Sequence, residues 1–289
     1  RGETKYTAVD GIDDLKQAVI DKFKNDNNLD YEKGNISVAP GGKSIIFNAI
    51  LSTINPGDEV IIPAPYWVSY PDIVKLAGGN PVIIETSPDN NFKISPDDLE
   101  KNITEKTKWL FINSPSNPTG QVYSKAELIN LTEVIKKHKN LYILSDDIYE
   151  YIRYQNNERF YTIAELDEEI FSRTLTMNGV SKAYSMTGWR IGYCGGPIEI
   201  INAMRKLMGQ STSNPSSISQ WATVEALNGS KDFLNLWIES FKERRDFIVN
   251  YLNQCNGISC LIPEGAFYVY PSCEGLIGKE YKGKIISND

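Results

Sequence analysis

The sequence predicts an α/β fold in which a mostly parallel sheet is covered by helices on both faces. Two observations lead to this prediction. Short apolar segments of strand length alternate along the chain with longer segments that have helical periodicity. The apolar segments are also nearly continuous rather than alternating with polar residues, which is typical of strands buried on both faces of a parallel sheet.

The first half of the chain supplies helices with clear ends. Residues 44–54 are predicted to be helical up to the turn sequence Asn-Pro-Gly-Asp at 55–58, and a buried strand follows at 59–62. A helix at 70–76 ends at a pair of glycines. Strands are predicted at 82–85 and 108–112. The segment 124–138 is an amphipathic helix, because its apolar residues recur at helical spacing.

The second half continues the same pattern. Short runs rich in β-branched and aromatic residues predict strands, and longer amphipathic runs predict helices. The predicted strands are 141–144, 174–177, 190–194 and a late one at 265–270. The predicted helices are 197–208, 216–227 and 232–252.

Composition excludes several classes of function. The chain has 289 residues, 41% of them hydrophobic, and a net charge of -7, so it is expected to fold and to bind neither nucleic acid nor an anionic membrane surface. Its longest apolar runs are too short to span a bilayer, and we expect a cytoplasmic protein. The single histidine, His138, lies in a lysine-rich helix end, so no metal site is predicted.

Unusual residues follow three predicted strands, where open α/β sheets bind their ligands. The stretch 113–120 follows one strand, 145–149 follows the next, and 178–190 follows a third. Lys182 is either a surface cation or, if partly buried, a nucleophile with a lowered pKa. Arg190 suits a phosphate or an ordinary ion pair. Asp146 is a helix cap, a metal ligand or the partner of a protonated ring nitrogen. Tyr149, three residues later, is either a turn residue or a contact to the same ligand.

Three further sites add to this set. Asn117 lies in a turn, and its amide could also bind a ligand. Gly41 and Gly42, followed by Lys43, open a helix and offer free backbone N–H groups to an anion. Trp67 is either a core residue or a plate for a flat ring. Together, phosphate donors, an amine, a carboxylate, a phenol and an aromatic plate describe the requirements of pyridoxal 5'-phosphate.

Eight stretches of the chain make it resemble the class I/II aminotransferases of fold type I, most closely the bacterial-type aspartate aminotransferase subgroup. They lie in order along nearly the whole chain. The most specific is Ser-Lys-Ala-Tyr-Ser-Met-Thr-Gly-Trp-Arg-Ile-Gly at 181–192; the others are 4–6, 41–43, 55–60, 65–70, 113–120, 145–149 and 263–268.

The resemblance implies a seven-stranded large domain at 1–245 and the start of an incomplete, smaller α+β domain at 246–289. It also implies a role for each matched residue. Lys182 is the Schiff-base lysine and proton shuttle, Asp146 pairs with the ring nitrogen, and Tyr149 and Asn117 bond the ring oxygen. Trp67 stacks on the ring, and Trp67 and Asn117 also contact the substrate. The implied phosphate contacts are Gly41, Gly42, Lys43, Ser181, Arg190 and Tyr6, the last reaching the neighbouring subunit of a homodimer.

The sequence departs from the family in two respects. Many relatives carry a serine three residues before the lysine, where this chain has Gly179. The chain is also expected to be cut at both ends, without the N-terminal arm and without the arginine that binds the substrate α-carboxylate.

The implied activity is pyridoxal-phosphate-dependent transamination between an amino acid, L-aspartate, and 2-oxoglutarate, by ping-pong kinetics through Lys182. Three alternatives stay open. One is an aromatic or prephenate aminotransferase, and another is a lyase of the same fold type, such as a C–S lyase or a relative of aminocyclopropane-carboxylate synthase. The third is an inactive cofactor-binding fragment.

Overall fold

A computed structural model describes residues 2–154 and 159–288. Its centre is a seven-stranded sheet of order β1-β7-β6-β5-β4-β2-β3. The strands are β1 Ile36–Ala39, β2 Glu59–Ala64, β3 Asn80–Glu85, β4 Thr107–Asn113, β5 Tyr142–Asp146, β6 Thr174–Gly179 and β7 Gly192–Gly195. Strands β2 to β6 pair in parallel, whereas β7 is antiparallel to both β1 and β6. The predicted mostly parallel sheet is therefore confirmed.

Helices cover both faces of this sheet. They are α1 Asp13–Asn27, α2 Gly42–Thr53, α3 Ser69–Leu76, α4 Pro96–Asn102, α5 Lys125–Ile135, α6 Glu168–Phe171, α7 Ile198–Gln210, α8 Ser217–Asn228 and α9 Phe233–Gln254. Strand side chains alternate between the two layers. Val60 and Ile62 of β2 belong to the cluster formed with α2, α3 and α7, whereas Ile61 between them packs with α4 and α5. Both faces are apolar, which explains the continuous apolar runs in the sequence.

One predicted strand is wrong. Residues 265–270 form no ladder; Gly265 makes only an isolated bridge to Arg153. The backbone N–H groups of this segment instead form hydrogen bonds to loop residues. Gly265 N–H donates to the carbonyl of Gly120, and Ala266 N–H donates to the carbonyl of Ile152. A positive φ of 55° at Ala266 breaks the extended conformation there.

The structure also shifts the predicted start of β7. Arg190 has a φ of 57°, in the left-handed region, so the strand predicted at 190–194 begins only at Gly192. After the sheet, α9 runs unbroken through the predicted domain boundary at 245/246, and that division stays a prediction. Two short antiparallel pairs follow α9, formed by β8 Ser259–Cys260 with β9 Pro271–Ser272 and by β10 Glu280–Tyr281 with β11 Lys284–Ile285. Within the described residues, no helix has the length and apolar character needed to cross a membrane.

Candidate active site

A cavity of about 290 Å³ lies where β4, β5 and β6 end. It brings together nine of the residues singled out from the sequence: Gly42, Lys43, Trp67, Asn117, Asp146, Tyr149, Ser181, Lys182 and Arg190. Gly41 adjoins this wall as the residue before α2. Tyr6 is not part of the wall and is 91% exposed. The cavity is also lined by Tyr70, Asn113 and Tyr268, to which the sequence analysis gave no role.

Asp146, the last residue of β5, is the buried carboxylate of the cavity. The hydroxyl of Tyr70 donates to its Oδ2 at 2.6 Å, and the side-chain amide of Asn113 donates to its backbone oxygen at 2.9 Å. Burial raises the pKa of Asp146 to about 6, against the opposing effects of the Tyr70 hydrogen bond, the Ile148 amide and the charge of Lys182. With a pKa of about 6, this carboxyl group is mostly ionised at pH 7 but gains a proton in mildly acidic solution.

The neighbouring carboxylate, Asp147, has a different environment. It does not line the cavity, and the Ser145 hydroxyl donates to its Oδ1 at 2.7 Å. Of the two adjacent aspartates, only Asp146 could contact a ligand in this cavity. The choice of the first aspartate of the doublet is therefore consistent with the geometry.

Lys182 follows β6 in a turn and projects its amine toward the cavity. Its Nζ lies 5.6 Å from the ring centres of both Tyr149 and Phe267. Burial lowers the pKa of Lys182, opposed by the charge of Asp146 and assisted by that of Arg190. No carboxylate of the described residues lies within ion-pair distance of Nζ. A half-buried, unpaired amine of lowered pKa is suited to act as a nucleophile or base.

The start of α2 forms a cradle for an anion. The helix begins at Gly42, and Gly41 before it has a φ of 92°. A side chain at Gly41 would lie 2.5 Å from the guanidinium of Arg190, and one at Gly192 would collide with the backbone nitrogen of Gly42. Arg190 donates to the carbonyl of Thr187 at 2.8 Å, and no carboxylate in the described part of the chain pairs with it.

The position that departs from the family is tightly packed. A Cβ at Gly179 would lie 3.0 Å from the carbonyl oxygen of Ile191 and 3.2 Å from Gly192 Cα. The nearby Ser181 is buried and lines the cavity. Ser181 therefore offers a hydroxyl to an anion in the cavity.

A phenol pair closes another part of the wall. The hydroxyl groups of Tyr149 and Tyr268 lie 2.6 Å apart. Burial, reinforced by Tyr268, raises the pKa of Tyr149, and a hydrogen bond from Asn117 opposes this effect. Asn113 holds the Asn117 loop, because its side-chain oxygen accepts a bond from the Asn117 amide N–H at 2.7 Å.

Trp67 supplies the aromatic surface of the cavity. Its ring packs edge-on against Tyr70, with centroids 5.4 Å apart. The amine of Lys43 lies 4.9 Å from the centre of the Trp67 ring. A cation and a flat apolar surface thus lie side by side at this wall.

The three additional residues of the cavity wall lie in sequence segments that already pointed to the site. Tyr70, Asn113 and Tyr268 all stand in segments that the resemblance singled out, at 65–70, 113–120 and 263–268. Their roles were missed because each acts on another site residue. A useful signal is the position of Tyr70 in the first turn of α3, three residues after Trp67, since both side chains line the cavity.

Comparison with known proteins agrees with this geometry. The family model for aminotransferase class I and II matches residues 1–286. The chain belongs to this family. An aspartate/prephenate aminotransferase of Cereibacter sphaeroides is 54% identical over 98% of the chain and 70% of its own length. The crystal structure of an aspartate aminotransferase from Rhizobium meliloti superposes with a TM-score of 0.97 at 52% identity, covering 99% of this chain and 72% of that one.

More distant members share the same fold. An aspartate aminotransferase variant from Thermus thermophilus superposes with a TM-score of 0.90 at 40% identity, over 95% of this chain and 75% of that one. The protein is an aminotransferase, and its cofactor is pyridoxal 5'-phosphate.

The residues present fit this cofactor. A glycine turn with no room for side chains adjoins an arginine, a buried carboxylate faces the cavity, and a half-buried amine stands near two aromatic rings. These are the donor and acceptor types that a phosphate, a ring nitrogen and an aldehyde require. When bound, the cofactor supplies an electron-accepting ring.

Proposed function

We propose that this aminotransferase exchanges amino groups between L-aspartate and 2-oxoglutarate in the cavity described above. The observation that carries the proposal is that Lys182, Asp146 and Trp67 line the same cavity. In this proposal, Lys182 holds the cofactor covalently and, once displaced by substrate, moves the proton at the substrate Cα. Burial lowers its pKa, which increases the share of neutral amine at a given pH.

The other wall residues bind and orient. Asp146 would pair with the ring nitrogen, and its carboxylate charge is favoured by the Tyr70 hydroxyl. Tyr149 and Asn117 would bond the ring oxygen, and Trp67 would cover the ring. Trp67 and Asn117, which line the cavity, would also contact the substrate. The phosphate would be held by the backbone of Gly41 and Gly42 and by Arg190 and Ser181.

Lys43 is proposed as the cation that selects a dicarboxylic substrate. It lines the cavity beside Trp67, and no carboxylate within the described residues lies within ion-pair distance of it. An unpaired cation in the wall of a substrate cavity favours an anionic ligand group. The names of the three relatives described above are consistent with this choice, since each of the three includes aspartate.

We further propose a homodimer with shared sites, located in the cytoplasm. Tyr6 is 91% exposed in the single chain, as expected of a side chain that reaches the phosphate site of a partner subunit. The net negative charge is consistent with a cytoplasmic protein.

Replacement of Lys182 tests the proposal. The cofactor-loaded protein should show a visible absorption band, and Lys182→Ala should abolish the covalent band and lower the aspartate–2-oxoglutarate exchange rate at least about 100-fold. Lys206→Ala, at an exposed position on α7, is the matched control. A Lys182→Ala variant that keeps the band and the rate would refute the assignment. Release of pyruvate and ammonia without amino exchange would instead indicate a lyase, and no turnover at all an inactive protein.

A further inference from the structure

A buried polar cluster lies behind the turn that carries Asp146 and Tyr149, outside the cavity. Four residues form this anchor cluster: Lys22 and Asn27 of α1, Glu150, and Asn178 of β6. Lys22 forms an ion pair with Glu150, and their side chains are only 1% and 3% exposed. Asn27 accepts from Lys22 at 2.5 Å and donates to Glu150 Oε2 at 2.7 Å. Every charged atom of the cluster therefore has a partner within it.

Such a cluster needs an explanation other than stability. Removing two charges from water costs free energy, and a buried ion pair is often no better than a well-packed apolar pair. The hydrogen bonds within the cluster are directional, however, so they fix the relative positions of the elements that carry them. The elements joined here are α1, β6 and the turn after β5.

Side chains of the turn after β5 point in two directions, into the cavity and into the anchor cluster. Asp146 and Tyr149 line the cavity, whereas Glu150 points away from it into the anchor cluster. Because Glu150 is adjacent to Tyr149, the bonds that hold Glu150 also fix the backbone from which the Tyr149 phenol projects. The Glu150 N–H also donates to the carbonyl of Asp147 at 3.0 Å. This hydrogen bond closes the turn, so the position of Glu150 also fixes the backbone next to Asp146.

Asn178 joins the turn to the segment that carries the reactive lysine. Its side-chain amide donates to Glu150 Oε1 at 2.8 Å and to the backbone oxygen of Asp147 at 3.1 Å. Asn178 lies near the end of β6, four residues before Lys182. A single buried amide thus connects the backbone leading to Lys182 with the backbone that presents Asp146 and Tyr149.

We propose that Glu150 and Asn178 are positioning residues, which hold the Asp146–Tyr149 turn in register with the Lys182 segment. This inference rests on the proposed roles of those three cavity residues. Neither Glu150 nor Asn178 lines the cavity, so each acts through its neighbours. In this role, the anchor cluster sets the distance between the amine of Lys182 and the phenol of Tyr149.

The test uses Asn178→Ala and Glu150→Gln in the cofactor-loaded protein. The pH midpoint of the visible absorption band reports how well Tyr149 bonds the ring oxygen next to the Lys182 linkage. Loss of that bond should raise the midpoint by about one pH unit in both variants. Displacement of the turn should also lower kcat by about 100-fold while leaving KM for the amino acid nearly unchanged.

Asp10→Asn is the matched control, because Asp10 forms a buried ion pair with Lys16 at 2.8 Å outside the cavity wall. It should lower the melting temperature and leave the absorption midpoint at the wild-type value. The inference is overturned if Asn178→Ala and Glu150→Gln behave like this control. Glu150→Gln preserves the side-chain shape, so it provides the answer if Asn178→Ala does not fold. A covalent absorption band that persists in Lys182→Ala would instead refute the proposed function.

Discussion

Tyr70 donates a hydrogen bond of 2.6 Å to Oδ2 of Asp146, and both groups are buried at the wall of the cavity. The bond links the first turn of α3 to the end of β5. Because a hydroxyl donor stabilises the carboxylate form, it lowers the pKa of Asp146, which burial alone would raise further than about 6. The phenol thus keeps a deeply buried carboxylate available as an anion.

Tyr70→Phe should therefore raise the pKa of Asp146 above about 6. Less of the carboxylate would be ionised at pH 7, and a ligand with a protonated ring nitrogen would lose part of its partner. We expect pyridoxal 5'-phosphate to bind roughly tenfold more weakly at pH 7, since a hydrogen bond to a charged group contributes about 1.5 kcal/mol. Equilibrium dialysis from pH 5.5 to 8.5 measures the effect, which should shrink as Asp146 becomes fully ionised.

Tyr66→Phe is the control for this variant, since Tyr66 lies four residues earlier and does not line the cavity. It should bind the cofactor like the wild type. An affinity of Tyr70→Phe equal to that of the wild type at every pH would show that the phenol does not tune Asp146.

Gly192→Ala should weaken cofactor binding by disturbing the anion cradle. The new methyl group would collide with the backbone nitrogen of Gly42, which opens α2. Overpacking of this kind typically costs about 1–3 kcal/mol, so the dissociation constant for the cofactor should rise about tenfold or more. Gly188→Ala is the matched control, because a Cβ there meets no atom within 4 Å. Equal affinities of the two variants would contradict the prediction.

The sequence predicted the sheet well because its strands are buried on both faces. A strand such as β5, Tyr142–Asp146, must be apolar on both sides, which leaves a clear local signal. In helix α1, the apolar residues Leu15, Val19 and Phe23 recur at helical spacing. Lys16 and Lys22 nevertheless also face inward, where Asp10 and Glu150 neutralise them. Buried ion pairs of this kind depend on partners far along the chain and cannot be predicted from local periodicity.

In the site, too, some residues could be predicted from the local sequence, whereas others depend on partners far along the chain. Residues that would contact the cofactor directly, such as Lys182 and Arg190, were identified from their positions after strands and from the family pattern. Residues that act on those residues were not, because Tyr70 and Tyr268 meet Asp146 and Tyr149 only in the folded chain. The segment at 265–270 was wrongly predicted as a strand because its composition fits one, while its hydrogen-bond partners are loops.

Lys43→Met should change substrate preference more than catalytic rate. Loss of the unpaired cation beside Trp67 should raise KM for aspartate about tenfold, since charge-assisted contacts are worth about 1.5 kcal/mol or more. The KM for an amino acid with an apolar side chain should stay nearly constant. Steady-state kinetics with aspartate and phenylalanine give the comparison. Lys101→Met, at an exposed position on α4, is the control, and an unchanged aspartate preference in Lys43→Met would rule out this role.

Asp147→Asn should stabilise the cofactor-free protein at pH 8 and have little effect at pH 5. Burial raises the pKa of Asp147 to about 7, against the Ser145 and Thr162 hydrogen bonds, while the charge of Glu150 adds to the rise and that of Lys22 opposes it. A raised carboxyl pKa means that the folded state binds the proton more tightly than the unfolded state. Stability contributed by the proton is therefore present below pH 3.8 and is lost as the pH rises through about 7.

The neutral amide removes this loss, because it carries no charge at either pH. The expected gain at pH 8 is on the order of 2 kcal/mol in the free energy of unfolding, measured by urea denaturation at both pH values. Asp97→Asn, in the exposed first turn of α4, is the control and should show no such pH-dependent gain. A variant that is equally destabilised at pH 5 and pH 8 would show that Asp147 acts in the fold as a hydrogen-bond acceptor whose charge is not penalised.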